Sequence, residues 1–191
     1  MKPSLCRGLG LGVLTLALAA CAPTTPENSP QSTSSDAPTT ATSAQFPVTV
    51  ENCGREVTIA QQPTRVVGIE GAAETLLALG AADQTAGYFG AAPENLPDYL
   101  ATNARETKHL GSSFPFPTAE QVLSDTPDLV VLYGFGDSGD LAKQLDAQQV
   151  PYLQLSETCD EADHTVEGYF NDVRTISTAL GQAEAGNKLV E

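Results

Sequence analysis

RVVGIEGAAETLLALGAADQTAGY, residues Arg65 to Tyr88, fits a strand, a helix and a second strand into 24 residues. Val66, Val67 and Ile69 make a short β-branched run behind Pro63, too brief for a helix and patterned like a strand buried on both faces. A turn at Gly68 to Gly71 follows. Ala73, Leu76, Leu77 and Gly80 then recur at i, i+3, i+4 and i+7, and Gly80 stands where a left-handed C-cap closes a helix. Thr85 to Tyr88 is the next strand. Two parallel strands joined by a crossover helix put the following loops at one edge of the sheet, where open α/β sheets bind ligands.

The same unit recurs towards the C-terminus. Pro93 to Leu100 is a short helical or irregular segment, and His109-Leu110 suggests a brief strand. The loop Gly111 to Pro117 sets Phe114 and Phe116 between prolines, where large rings serve a ligand better than a core. Thr118 is the N-cap of a helix, with Gln121 at the capping-box position and Glu120 in the positive first turn. Asp128 to Tyr133 is a further strand; Leu141, Ala142 and Leu145 give a helical face; Val150 to Leu155 is the next strand. A last helix, Thr165 to Leu180, sets Val166, Tyr169, Phe170, Val173 and Ile176 on one side and stops at Gly181. Four strand-helix repeats predict an α/β fold with a doubly wound parallel sheet.

Ahead of these repeats, Val48 and Val50 alternate, Asn52 to Arg55 carries a turn, and Val57 and Ile59 alternate back. This β-hairpin covers one edge of the domain. The first 20 residues have the form of a signal peptide: Lys2 and Arg7 precede the apolar run Gly8 to Ala20, 13 residues long, against the roughly 20 that a membrane helix needs. Leu18-Ala19-Ala20-Cys21 resembles a bacterial lipobox, in which Cys21 is lipidated and anchors the chain to a membrane. Residues 21–45 then form a Ser/Thr/Pro-rich linker, too poor in large apolar residues to fold. As a flexible coil it spans about 27 Å.

Removal of Lys2 and Arg7 leaves 7 basic and 24 acidic residues, a formal charge of 7 − 24 = −17. Nucleic-acid binding needs a basic footprint that this composition lacks. Cys6 leaves with the leader and Cys21 goes to lipid, so Cys53 and Cys159 remain as an even pair in an oxidising compartment, and they are expected to bond.

A lipobox, a Ser/Thr/Pro linker, Cys53-Gly54 in a hairpin, PTRVVGIEGAAETLLALGAADQTAGY and TAEQVLSDTPDLVVLY together resemble the substrate-binding lipoproteins of iron-siderophore and cobalamin ABC importers. The resemblance covers residues 46–191. It implies one lobe of a two-lobed binding protein: residues 46–181 as the N-terminal α/β lobe, and residues 182–191 as the start of an interlobe helix that the chain truncates. It also implies an extracytoplasmic, lipid-anchored location, a ferric siderophore as ligand, and an ABC permease and ATPase as partners. Glu120 matches the glutamate that docks on the permease in that family.

The ligand-facing candidates are Glu70, Gly71, Tyr88, Phe89, Ser112, Ser113, Phe114, Phe116, Tyr133 and Phe135, all at C-terminal strand ends. Aromatics dominate these loops, and Lys and Arg are missing from them. A ferric tris-catecholate carries about three negative charges and is costly to desolvate without cations, which favours a neutral or cationic hydroxamate chelate. Heme or a corrinoid is the alternative. No bound cofactor, resident metal site or catalytic set is expected, since neither His109 nor His164 has a neighbour at metal-ligand spacing. The rival class is an oxidoreductase: Gly134 to Gly139 is a literal G-x-G-x-x-G, and Glu157 lies 23 residues beyond its start. Against it, Asp137 and Asp140 set negative charge where a pyrophosphate would lie.

Overall fold

Val66–Ile69 (β3) and Leu129–Leu132 (β6) are buried at every position and lie side by side in parallel register, Val66 opposite Leu129 and Ile69 opposite Leu132. The computed structural model describes residues 45–133, 138–159 and 164–191. The pairing of β3 with β6 begins at a polar clamp. The Asp128 carboxylate accepts from the Thr64 and Arg65 backbone N–H groups, at 2.8 and 3.0 Å, so a side chain extends the ladder beyond the strands. The Pro63-Thr64-Arg65 and Pro127-Asp128 segments of the sequence are thus two halves of one contact.

Three more parallel strands, Thr85–Phe89 (β4), His109–Gly111 (β5) and Tyr152–Gln154 (β7), complete a five-stranded sheet in the order β5-β4-β3-β6-β7. The chain winds outward from β3 through β4 to β5, then returns to β6 on the other side of β3. Helices Gly71–Ala78 (α1) and Asp98–Glu106 (α2) serve the first half; Ala119–Leu123 (α3) and Ser138–Ala147 (α4) serve the second. This is the doubly wound α/β sheet that the repeats predict, with β5 as a fifth strand and α2 as a full helix where only a short segment is expected.

The sheet buries both faces. Val66, Leu129 and Val131 pack with Leu76 of α1, with Ile176 and Ala179 of the Val166–Ala179 helix (α5) and with its C-cap, Leu180. On the opposite face Val67, Ile69, Val130 and Leu132 pack with Val122 of α3 and Leu141 and Leu145 of α4. Local signals set the helix ends. Gly80, at φ 70°, closes α1 with Gly80 N–H donating to Leu77 O and Ala81 N–H to Leu76 O, the two bonds of a Schellman cap. Thr118 and Gln121 form a reciprocal capping box at α3.

Strands Val48–Asn52 (β1) and Arg55–Ile59 (β2) form a separate antiparallel hairpin turning through Cys53 and Gly54, both at positive φ. It seals the β7 edge with side chains. The Asn52 amide donates to Gln154 O and accepts from Gln154 N–H, both at 2.8 Å, mimicking one more strand pair. Arg55 donates to Tyr152 O at 2.8 Å and lies 3.7 Å from the Tyr152 ring centroid. An otherwise open edge is thereby closed to other chains. Cys53 is joined to Cys159 as a disulfide, with Cα atoms 5.3 Å apart.

The face of α5 differs from the one its apolar residues suggest. Val166 and Tyr169 are exposed, whereas Gly168, Asp172, Ile176, Ser177 and Ala179 turn inward. Two close approaches dictate this rotation. The Asp172 carboxylate accepts from Ser156 N–H and Oγ at 3.0 Å. Ser177 packs so near Gly186 of the Ala183–Leu189 helix (α6) that a Cβ there would stand 2.5 Å from the Ser177 Cβ.

Candidate functional site

The reversal of winding falls between β3 and β6, and the loops leaving their C-terminal ends flank the crevice where doubly wound sheets take ligands. Glu70 follows β3 directly. Its backbone lies at φ 56°, ψ −134°, a region that costs a residue with a Cβ about 1–3 kcal/mol. The strain sits on Glu70 itself and not on the glycines either side: Gly68 belongs to β3, and Gly71 begins α1. Three bonds hold the conformation. Glu70 N–H donates to Phe89 O at 2.9 Å, Ala73 N–H donates to Glu70 O at 2.7 Å, and the Ser113 hydroxyl donates to the Glu70 carboxylate.

Tyr133 leaves β6 beside this turn, its N–H donating to Ile69 O at 3.2 Å. Gly71 lies beside both strand ends: a Cβ there would make ordinary contact, 3.9 Å from the Tyr133 ring and 3.5 Å from Leu155. From β7 the chain passes through Leu155 into a short 3-10 turn, Ser156–Thr158, that carries Glu157. The Tyr169 hydroxyl of α5 donates to the Glu157 carboxylate. Glu70, Tyr133, Glu157 and Tyr169 therefore form one rim, two carboxylates and two phenols. Burial pushes the Tyr133 phenol up, and the charges of Glu157 and then Glu70 add to it. The hydrogen bond to Glu157 raises the Tyr169 phenol. Burial, then Glu74, raises the Glu70 carboxyl.

Of the sequence candidates, Glu70, Gly71, Ser113 and Tyr133 come together here. Ser112 stays with its own loop, its hydroxyl donating to Phe114 O, and Phe114 is 62% exposed beside it. Phe116 is half-buried against the core under α3 and α4. Tyr88 and Phe89 do not form part of the wall. Tyr88 is 1% exposed among Leu77, Leu96 and Leu100, and Phe89 is 4% exposed among Val67, Val130 and Leu132, because successive side chains of β4 enter the two core layers. Phe135 lies outside the described residues, as do Gly134 to Asp137 of the glycine motif and Cys21. His109 packs against Tyr88 in a tilted contact, with ring centroids 5.1 Å apart and planes at 41°, and its Nε2 bonds Gly90 O at 3.0 Å. Glu120 is exposed in the first turn of α3.

The residues that sequence reasoning misses are Glu157 as part of the rim and Tyr169 as its partner. Tyr169 has a helical spacing that fits a core face, and only the rotation of α5 frees its hydroxyl. Glu157 carries a legible signal, since it ends the segment after the last strand. Among the described residues no cluster of His, Cys, Asp and Glu could hold a metal ion, and no helix is long and apolar enough to cross a membrane.

Solved structures share this arrangement. A component of an ABC-type Fe3+-hydroxamate transport system from Saccharomonospora viridis matches with a TM-score of 0.61 and 26% identity, over 76% of this chain and 52% of that one. This is the fold of one lobe of a periplasmic binding protein. A periplasmic binding protein from Veillonella parvula matches the lobe with a TM-score of 0.64 and 19% identity, over 75% of this chain and 48% of that one. The heme binding protein HmuT matches it with a TM-score of 0.58 and 21% identity, over 78% of this chain and 45% of that one. The lobe-bearing chain thus spans about half the length of the structures it matches. These neighbours are described as binding or transport proteins, not as enzymes. No protein-family model and no curated protein matches the chain.

Proposed function

We propose that this chain is the ligand-capturing part of an iron-chelate ABC importer, taking up a ferric siderophore of hydroxamate type outside the cell and delivering it to a permease and ATPase. The observation that carries the reading is the rim of Glu70, Ser113, Tyr133 and Glu157 at the winding reversal, on a lobe whose neighbours include an Fe3+-hydroxamate transport component. Glu70 is held within the rim: its N–H donates to Phe89 O, and it accepts from Ala73 N–H and the Ser113 hydroxyl. A wall that is ordered before ligand arrives loses little entropy on binding. Its chemistry is aromatic, hydroxyl and carboxylate, so it suits the neutral or cationic surface of a hydroxamate complex and repels a catecholate trianion.

Lipidation of Cys21 and the linker to residue 45 would hold the lobe at the outer face of the membrane. Glu120 is the docking contact in this reading: it is exposed in the first turn of α3. In cells carrying the cognate importer, Glu120→Lys should impair uptake and leave chelate affinity unchanged. Loss of both, or of neither, removes the docking role. Heme is the second reading, favoured by the Tyr133 and Tyr169 phenols on the rim, since phenolate oxygen is a known ligand type for ferric heme.

A further inference from the structure

We propose that Glu70 and Glu157 make this rim selective by charge, preferring ferric chelates that carry a free ammonium group over neutral or anionic chelates with the same iron-binding chemistry. The inference rests on the iron-chelate reading above and names the ligand class within it. What marks the rim as a ligand face is its place in the fold, not its acidity; the carboxylates decide what suits it there.

Each carboxylate has one oxygen in a bond to a neighbour that brings no charge. Ser113 Oγ donates to Glu70 Oε2, and Tyr169 donates to Glu157 Oε2. A carboxylate accepts up to about four hydrogen bonds, so both retain capacity for further donors. Among the described residues no Lys or Arg pairs with either one. Of the six basic residues of the lobe, five are engaged elsewhere, Arg55 on Tyr152 O, Arg65 on Asp125 O, Lys108 on Asp125, Lys143 on Asp140 and Arg174 on Glu167, and the sixth, Arg105, lies in the last turn of α2. The adjoining segments 134–137 and 160–163 contain no Lys or Arg in sequence. Tyr133 adjoins the Glu70 turn through its N–H bond to Ile69 O, and its phenol feels the charge of both carboxylates. Its ring gives the chelate an apolar surface and, for a cation, the negative face of an aromatic ring. A pendent ammonium would therefore meet acceptors on two sides, whereas a carboxylate or catecholate arm would meet only like charge and exposed rings.

A matched pair of probes tests this on the full chain. Ferrioxamine B carries one pendent ammonium; N-acetylation removes that charge and keeps the ferric hydroxamate core. Calorimetric titration at low salt should find ferrioxamine B bound up to about fivefold more tightly, the upper size of one partly exposed ion pair. The preference should shrink as salt rises and should narrow in Glu157→Gln and in Glu70→Gln, each checked for an unchanged thermal midpoint. Equal affinity for the two probes, or a preference that survives both substitutions, overturns the charge selection and leaves the iron-chelate reading standing. No heat with either probe and none with neutral ferrichrome overturns that reading and this inference together.

Discussion

Replacing Gly68 with alanine tests the contact that sets α1, and with it the rim, against the sheet. A Cβ at Gly68 would lie 2.8 Å from Leu76 Cδ1 and 2.9 Å from the Ala73 Cα, whereas carbon atoms rest at about 3.5–4.0 Å. Leu76 can change rotamer, but Ala73 Cα is helix backbone. To restore contact distance α1 must therefore back away from β3 by more than about half an ångström, opening the layer that Leu76 fills. Overpacking of this kind costs about 1–3 kcal/mol; with backbone as the obstacle, about 2 kcal/mol is the expected loss. For a chain of this size that is about 4–8 °C in thermal midpoint. The chain has no tryptophan, so far-UV circular dichroism in a urea or thermal series is the assay. Gly139→Ala is the control: a Cβ there meets nothing within 4 Å, and Gly139 lies in α4, so about 0.5 kcal/mol of stabilisation is expected. If Gly68→Ala melts with the parent protein, the close approach of helix and strand is not what holds the rim in place.

The other predictions concern single groups. The Tyr88 hydroxyl is buried with no hydrogen-bond partner, so Tyr88→Phe should raise stability by about 1 kcal/mol in denaturant titration and leave chelate affinity untouched; a fall in affinity would return Tyr88 to the ligand wall. An unreduced digest analysed by mass spectrometry should contain a peptide linking Cys53 to Cys159, and reduction should cost about 2–5 kcal/mol. Two freely titratable thiols at these positions would contradict the pairing seen between the hairpin and the turn that carries Glu157.

Much of the fold is legible in residue order because periodicity and local chemistry agree. The β-branched run at Val66, the capping box at Thr118, the Gly80 cap and the Cys53-Gly54 turn each have a physical signature a few residues long, and each stands where its signature predicts. The rim is only partly legible. Glu70, Ser113 and Tyr133 are found because they end strands or occupy the loop after β5. Tyr88 and Phe89 mislead for a related reason: they also end a strand, but β4 runs one residue further than its pattern suggests, to Phe89, and the alternation of the strand buries both rings. Tyr169 is missed because its apolar neighbours at helical spacing outweigh two features invisible to periodicity, the Asp172 clamp on Ser156 and the close approach of Ser177 to Gly186. Rotations of a helix about its own axis are set by such long-range contacts.

The most direct test of the central claim is a calorimetric titration of the full chain with a ferric hydroxamate, in parallel with hemin and with iron salt alone. Saturable heat of binding for the hydroxamate, with none for iron salt alone, is the result predicted here. Silence towards every chelate would contradict it.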